Sequence, residues 1–130
     1  MSKKILIIED SECLQKSWRT AFGDLADEKG EPVELLQALT IYDGNTLFRD
    51  NMGTIDLIGM DACVPGDIPN TLDITRSLSI SRRYGFVGPI VAMSGDSNYR
   101  KRQVEAGCNH ECEKSRFVKK VMEILNLRYK

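Results

Sequence analysis

Short apolar runs alternate along the chain with segments whose apolar residues return at helical spacing. Side chains repeat every second residue in a strand and about every 3.6 residues in a helix, so the two patterns read as strand and helix. "KKILIIE" (residues 3–9) is a buried strand. "SECLQKSWRTAFGDLAD" (11–27) puts Leu14, Trp18, Ala21, Phe22 and Leu25 on one helical face, with Asp10 or Ser11 to cap its start. After the break "KGEP" comes a second strand, "VELLQAL" (33–39), and then a turn and short helix, "YDGNTLFRDNMG" (42–53). "IDLIGM" (55–60) is the third strand. "NTLDITRSLSISRRYG" (70–85) is rich in Ser, Thr and Ile, but its length and its Gly85 stop favour a helix.

"GPIVAMSG" (88–95) is the fourth strand, and "DSNYRKRQVEAG" (96–107) is a helix with an Asp/Ser start, a Gly stop and a thin apolar face. "HECEK" (110–114) is a short fifth strand, and "SRFVKKVMEILNL" (115–127) closes the chain as a helix aligning Phe117, Val121, Ile124 and Leu125. The order is strand then helix, five times. Three strands are almost wholly apolar, as expected when helices cover both sheet faces. Right-handed crossovers then make a single doubly wound α/β domain, (βα)5, over residues 1–130.

Composition narrows the function. Hydrophobic residues at 42% and charged residues at 28% describe a soluble domain with one continuous core. The net charge of −1 argues against nucleic acid as a partner. No run is long enough to span a membrane, and "MSKKILII" is too short and too soon followed by acids to be a signal peptide, so a cytoplasmic location is expected. Cys13, Cys63, Cys108 and Cys112 then stay reduced. "CNHEC" (108–112) lacks the CxxC spacing and the second ligand pair of a zinc site, and reads as buried thiols beside an exposed histidine.

The chemistry sits where the strands end. Strand one ends at Glu9 and Asp10, strand three at Asp61, strand four at Ser94 and strand five at Lys114. Sites in such sheets form at the carboxyl ends of the strands. Three carboxylates held close repel one another, and a hard divalent cation, Mg2+, relieves that repulsion. With a lysine and a hydroxyl beside them, they can neutralise the oxygens of a phosphoryl group, and Asp61 can be the nucleophile that forms an aspartyl phosphate. Each residue alone also has a bland role as a cap, turn or solvated strand end. The succession in chain order is the specific feature.

In "ILIIEDS", "IDLIGMDACVPG", "PIVAMSG" and "AGCNHECEKS" the sequence resembles the response-regulator receiver domains of two-component signalling (CheY-like) along essentially its whole length. The resemblance implies a flavodoxin-like five-stranded parallel sheet in the order 2-1-3-4-5. It implies that Asp61 accepts the phosphoryl group, that Asp10 binds Mg2+ directly and Glu9 through water, and that the backbone carbonyl of Cys63 is a further ligand. Ser94 then hydrogen-bonds a phosphoryl oxygen and Lys114 pairs with the group. The implied donor is a sensor histidine kinase or a histidine phosphotransfer protein, and output runs by protein contact or onward phosphorelay to a downstream protein. The resemblance implies a phosphoacceptor module and not a turnover enzyme.

Val64 stands where the family has Met before its proline, "DIPN" replaces an expected glycine, and Ser115 replaces the proline after the lysine. Glu111 occupies the place of an aromatic that swings inward on phosphorylation; it either faces solvent or pairs with a basic residue of the 96–107 helix. Cys63 and Asp96, two places after Asp61 and Ser94, sit where the family controls water access. Arg100, Lys101, Arg102, Lys119 and Lys120 form either solvated faces or a partner surface. These departures keep a second function open, a phosphorylation-independent binding module of the same fold. A metal-dependent phosphohydrolase built on Asp61 is a third, set back by Cys63 where such enzymes carry a second Asp.

Overall fold

The computed structural model describes residues 3–29, 32–61, 82 and 86–127. Five strands, β1 (Lys3–Ile8), β2 (Val33–Ala38), β3 (Leu57–Asp61), β4 (Ile90–Met93) and β5 (His110–Cys112), form one parallel sheet. Their lateral order is β2-β1-β3-β4-β5, as expected. The described helices are α1 (Glu12–Lys29), α2 (Ile41–Asn51), α3 (Ser97–Glu105) and α4 (Phe117–Ile124). Residues 70–85, expected as a helix, lie outside the described residues except for Arg82, and Cys63 and Val64 lie outside them too. Among the described residues no helix is long and apolar enough to cross a membrane.

Alternation along the strands splits the core in two. Ile5, Ile7, Leu57, Val91 and Met93 point to the face covered by α1 and α4, with Trp18, Phe22, Leu25, Phe117 and Val121. Leu6, Ile8, Ile58, Met60, Ile90 and Ala92 point to the other face, against Phe48 of α2. Both faces of β1, β3 and β4 are therefore dry, which is why those strands are nearly uninterrupted apolar runs.

Local chemistry sets the helix starts. Ser11 caps α1, its hydroxyl accepting from the Leu14 amide at 3.2 Å. Thr40 caps α2 through the Asp43 amide at 3.0 Å. The structure makes residues 41–51 one continuous helix where a turn and short helix were expected, since this cap lets helix begin at Ile41 and Gly44 packs under the Ile8 side chain. β5 is shorter than expected. It ends at Cys112, and Lys114 begins a 3-10 turn, Lys114–Arg116, that runs into α4. α4 buries Met122 as well as Phe117 and Val121, and Leu127 is buried beyond its end.

Gly59 is required by close approach. The Phe117 ring lies on it and packs against Trp18 and Phe22, with ring centroids 5.1 and 6.4 Å away. A Cβ at position 59 would sit 2.5 Å from Phe117 Cζ. Gly59→Ala is therefore expected to lower unfolding stability by about 1–3 kcal/mol, the cost of overpacking a filled core. Chemical denaturation with an unchanged m-value checks this, and a neutral result would mean the ring moves freely.

Candidate functional site

Strand register builds the site. Ile8 pairs with Met60 across β1 and β3, so one step further Glu9 stands beside Asp61. Both side chains follow the alternation of Ile5 and Ile7, and of Leu57 and Gly59, so they leave the same sheet face. Asp61 in turn pairs with Met93, which places Ser94 just past the end of β4. β5 runs beside β4, with Met93 opposite Cys112, and Lys114 follows two residues on.

These neighbours meet. Carboxylate oxygens of Glu9, Asp10 and Asp61 all lie within 4.8 Å of one another. The Lys114 ammonium is 2.6 Å from Glu9 Oε1 and 3.1 Å from Asp61 Oδ1. Glu9 is wholly buried, Asp61 is 5% exposed and Ser94 6%. Burial is the main reason the Glu9 carboxyl is pushed up to about 7. A hydrogen bond shared with Asp10 and the charge of Asp61 push the same way, against Lys114 and the Ser11 amide, which donates to Glu9 Oε2 at 3.1 Å. Burial would lower the Lys114 ammonium, but hydrogen bonds and charge from Glu9 and Asp61 outweigh it and hold its pKa above 10.5.

The Ser94 hydroxyl does not touch this cluster through any bond seen among the described residues. Its oxygen accepts from the Asp96 amide at 3.1 Å. Asp96 itself caps α3, taking the amides of Asn98 and Tyr99 at 2.8 and 3.3 Å. Glu111 pairs with Arg100 at 3.2 Å, the second of its two expected fates. Cys63, expected to supply a backbone ligand, lies outside the described residues.

Two glutamines escaped the sequence analysis. Gln15 is buried, and its amide nitrogen donates to the carbonyls of Ile7, Glu9 and Ala38 at 3.1–3.2 Å, clipping the ends of β1 and β2 together. Gln103 is buried on α3 and donates to the Met60 carbonyl at 2.8 Å, next to Asp61. The available signal was a glutamine standing within each helix's inward stripe.

Among the described residues the acidic trio is the one group of three His, Cys, Asp or Glu side chains whose ligand atoms converge. Cys108, His110 and Cys112 do not, and burial pushes the thiols of Cys108 and Cys112 up to about 12 and about 11, leaving them inert as thiolates. His110 is half-buried, not exposed as expected, while Cys108 is buried and Cys112 half-buried.

No family model matches the sequence, and no curated protein does. Solved structures do match its shape. A response regulator receiver domain protein from Clostridium thermocellum superposes with a TM-score of 0.68 at 19% identity, over 95% of this chain and 91% of that one. A signal receiver domain of a two-component histidine kinase from the same organism gives 0.72 at 17% identity, over 95% and 97%. The chain has the receiver-domain fold. A third receiver-fold neighbour, the CheX-CheY-BeF3-Mg2+ complex from Borrelia burgdorferi, gives 0.70 at 15% identity, over 95% and 89%.

The raised Glu9 carboxyl sets a pH dependence of this receiver fold without metal. Between about 4.5 and about 7 the folded state holds a proton on Glu9 that the unfolded chain has lost. Stability from this group is therefore full below that window and falls as pH rises through it. Glu9→Gln is expected to flatten the fall and to raise the melting temperature of the metal-free protein at about pH 8. Thermal melts across the window in a chelating buffer check it; a steeper fall in the variant would reverse the sign.

Proposed function

We propose that the chain is a phosphoacceptor module: Asp61 accepts a phosphoryl group from a phosphohistidine of a sensor histidine kinase or a histidine phosphotransfer protein, with Mg2+ at the acidic cluster. The observation that carries this is the meeting of Glu9, Asp10, Asp61 and Lys114 at the carboxyl edge of a receiver-fold sheet. The donors fit the ion. Carboxylate oxygens are the hard ligands Mg2+ takes, and within the cluster three carboxylates meet one ammonium. The upward push on Glu9 supports the same conclusion, because a cation would favour its charged form. Glu9, Asp10 and Asp61 would hold the ion, with the Cys63 carbonyl as the further ligand implied by the family resemblance. When bound, it neutralises charge on the phosphoryl oxygens.

The protein's own groups do the rest. A carboxylate oxygen of Asp61 attacks phosphorus, a P–O bond forms, and the P–N bond to the donor histidine breaks, its ring nitrogen leaving and taking a proton. Lys114, already 3.1 Å from Asp61 Oδ1, donates to one phosphoryl oxygen, and the Ser94 hydroxyl donates to another. Near-complete burial of Asp61 limits water at the acyl phosphate. Output runs by contact with a downstream protein or by onward transfer, in the cytoplasm. The neighbour complexed with CheX, BeF3 and Mg2+ supports a partner-binding role.

A second reading, a binding module that never takes a phosphoryl group, is favoured by the position of Lys114, closer to Glu9 at 2.6 Å than to Asp61 at 3.1 Å. Incubation with phosphoramidate and Mg2+ followed by intact-mass measurement separates the two. Wild type is expected to gain one phosphoryl group, and Asp61→Asn or added chelator to gain none. Lys114→Ala is expected to label roughly 100-fold more slowly, the usual cost of losing one charge-stabilising donor. An unlabelled wild type, beside a control receiver that labels, would favour the binding module.

A further inference from the structure

α3 is held to the sheet by polar ties as well as by Tyr99, which packs half-buried against the core. Gln103 is its one buried side chain, while Lys101, Arg102 and Val104 are exposed. Gln103 Nε2 donates to the carbonyl of Met60, the residue before Asp61, at 2.8 Å. One turn earlier, Arg100 Nη1 donates to the carbonyl of Ser94 at 2.6 Å, and its Nε reaches Glu111 Oε1 at 3.2 Å. Residues three apart share a helix face, and the two side chains reach the carboxyl ends of the neighbouring strands β3 and β4. Burying an amide costs free energy that a leucine would not. The Gln103 Oε1 atom is buried with no hydrogen-bond partner among the described residues, so its one bond, to Met60, is what the side chain contributes there.

We propose that Gln103 and Arg100 are positioning residues for the Asp61 site. Gln103 holds the end of β3 through Met60, which orients the Asp61 carboxylate. Arg100 holds the Ser94 carbonyl, and with it the turn that presents the Ser94 hydroxyl. Glu111 keeps the Arg100 side chain extended along α3 and β5. Among the described residues neither side chain bonds to a carboxylate of the acidic trio, so each acts through the backbone it holds.

The chemical consequence rests on the phosphoacceptor reading; the orientation itself does not. Arg100→Met and Gln103→Met keep bulk and remove the donors. Each is expected to slow labelling by phosphoramidate and Mg2+ about tenfold, the scale of one lost positioning hydrogen bond. Mg2+ affinity by calorimetry is expected to stay within about twofold of wild type in Arg100→Met, which acts on the Ser94 side, and to fall severalfold in Gln103→Met, where the Asp61 ligand loses its support; a general loss of fold would abolish binding in both. Arg100→Lys, which keeps a charged donor, is expected to recover most of the rate. Amide hydrogen exchange at Asp61 and Gly95, measured without Mg2+ or donor, is expected to quicken in both Met variants. Wild-type labelling with unchanged variant rates and exchange would overturn the proposal. If wild type does not label, the phosphoacceptor reading fails instead, and the exchange data alone decide whether the two residues position the site.

Discussion

The Lys114 ammonium set against two buried carboxylates is the contact on which the rest of the molecule depends. Glu9 and Asp61 are all but removed from water, and a carboxylate in that setting is expensive unless a charge or a hydrogen bond meets it. Strand pairing brings the two within ion-pair reach of one lysine, and the lysine is supplied from the far side of the sheet by the turn after β5. That single side chain joins the ends of β1, β3 and β5 electrostatically. The ammonium itself is only partly screened, with about a quarter of its side chain exposed (27%), so it keeps access to whatever enters the cluster from solvent.

Around this ion pair the strand ends are braced by polar side chains that come from helices. Ser11 gives its hydroxyl to the start of α1 and its amide to Glu9. Gln15 ties three carbonyls where β1 and β2 stop pairing, and Gln37 returns a bond to the Gln15 amide oxygen at 2.8 Å. These groups add side-chain hydrogen bonds to carbonyls at the sheet rim, where the Ala38 carbonyl also accepts from the Glu9 amide at 3.0 Å. The apolar interior sets fold and stability, while this polar layer sets the geometry of the site. The layer is also where the sequence breaks its own apolar periodicity, as expected of a place shaped by function.

Much of this was legible along the chain. Apolar runs marked β1, β3 and β4, because burial on both faces leaves few polar residues to blur them. The carboxylates and the hydroxyl stood out since they follow apolar runs, whereas Lys114 follows the polar "HECE". What misled was local. The start of α2 depends on the Thr40 cap outweighing a glycine and turn-forming residues nearby. Lys114 reads as a strand end, yet β5 loses its pairing after Cys112. Gln15 and Gln103 look like ordinary helix polar residues until their partners, carbonyls 6 to 43 positions away, are known.

The order of elements, the face each helix buries and the identity of the polar residues at strand ends were determined by the sequence alone, since they follow from side-chain period and from the cost of burying charge. Tertiary structure decided which of those residues meet. Convergence of Glu9, Asp61 and Lys114 depends on the lateral order of the strands, and the pairing of Arg100 with Glu111 and Ser94 depends on where α3 crosses the sheet edge. Both are contacts between segments distant in the chain, and no local pattern encodes a distance across the fold.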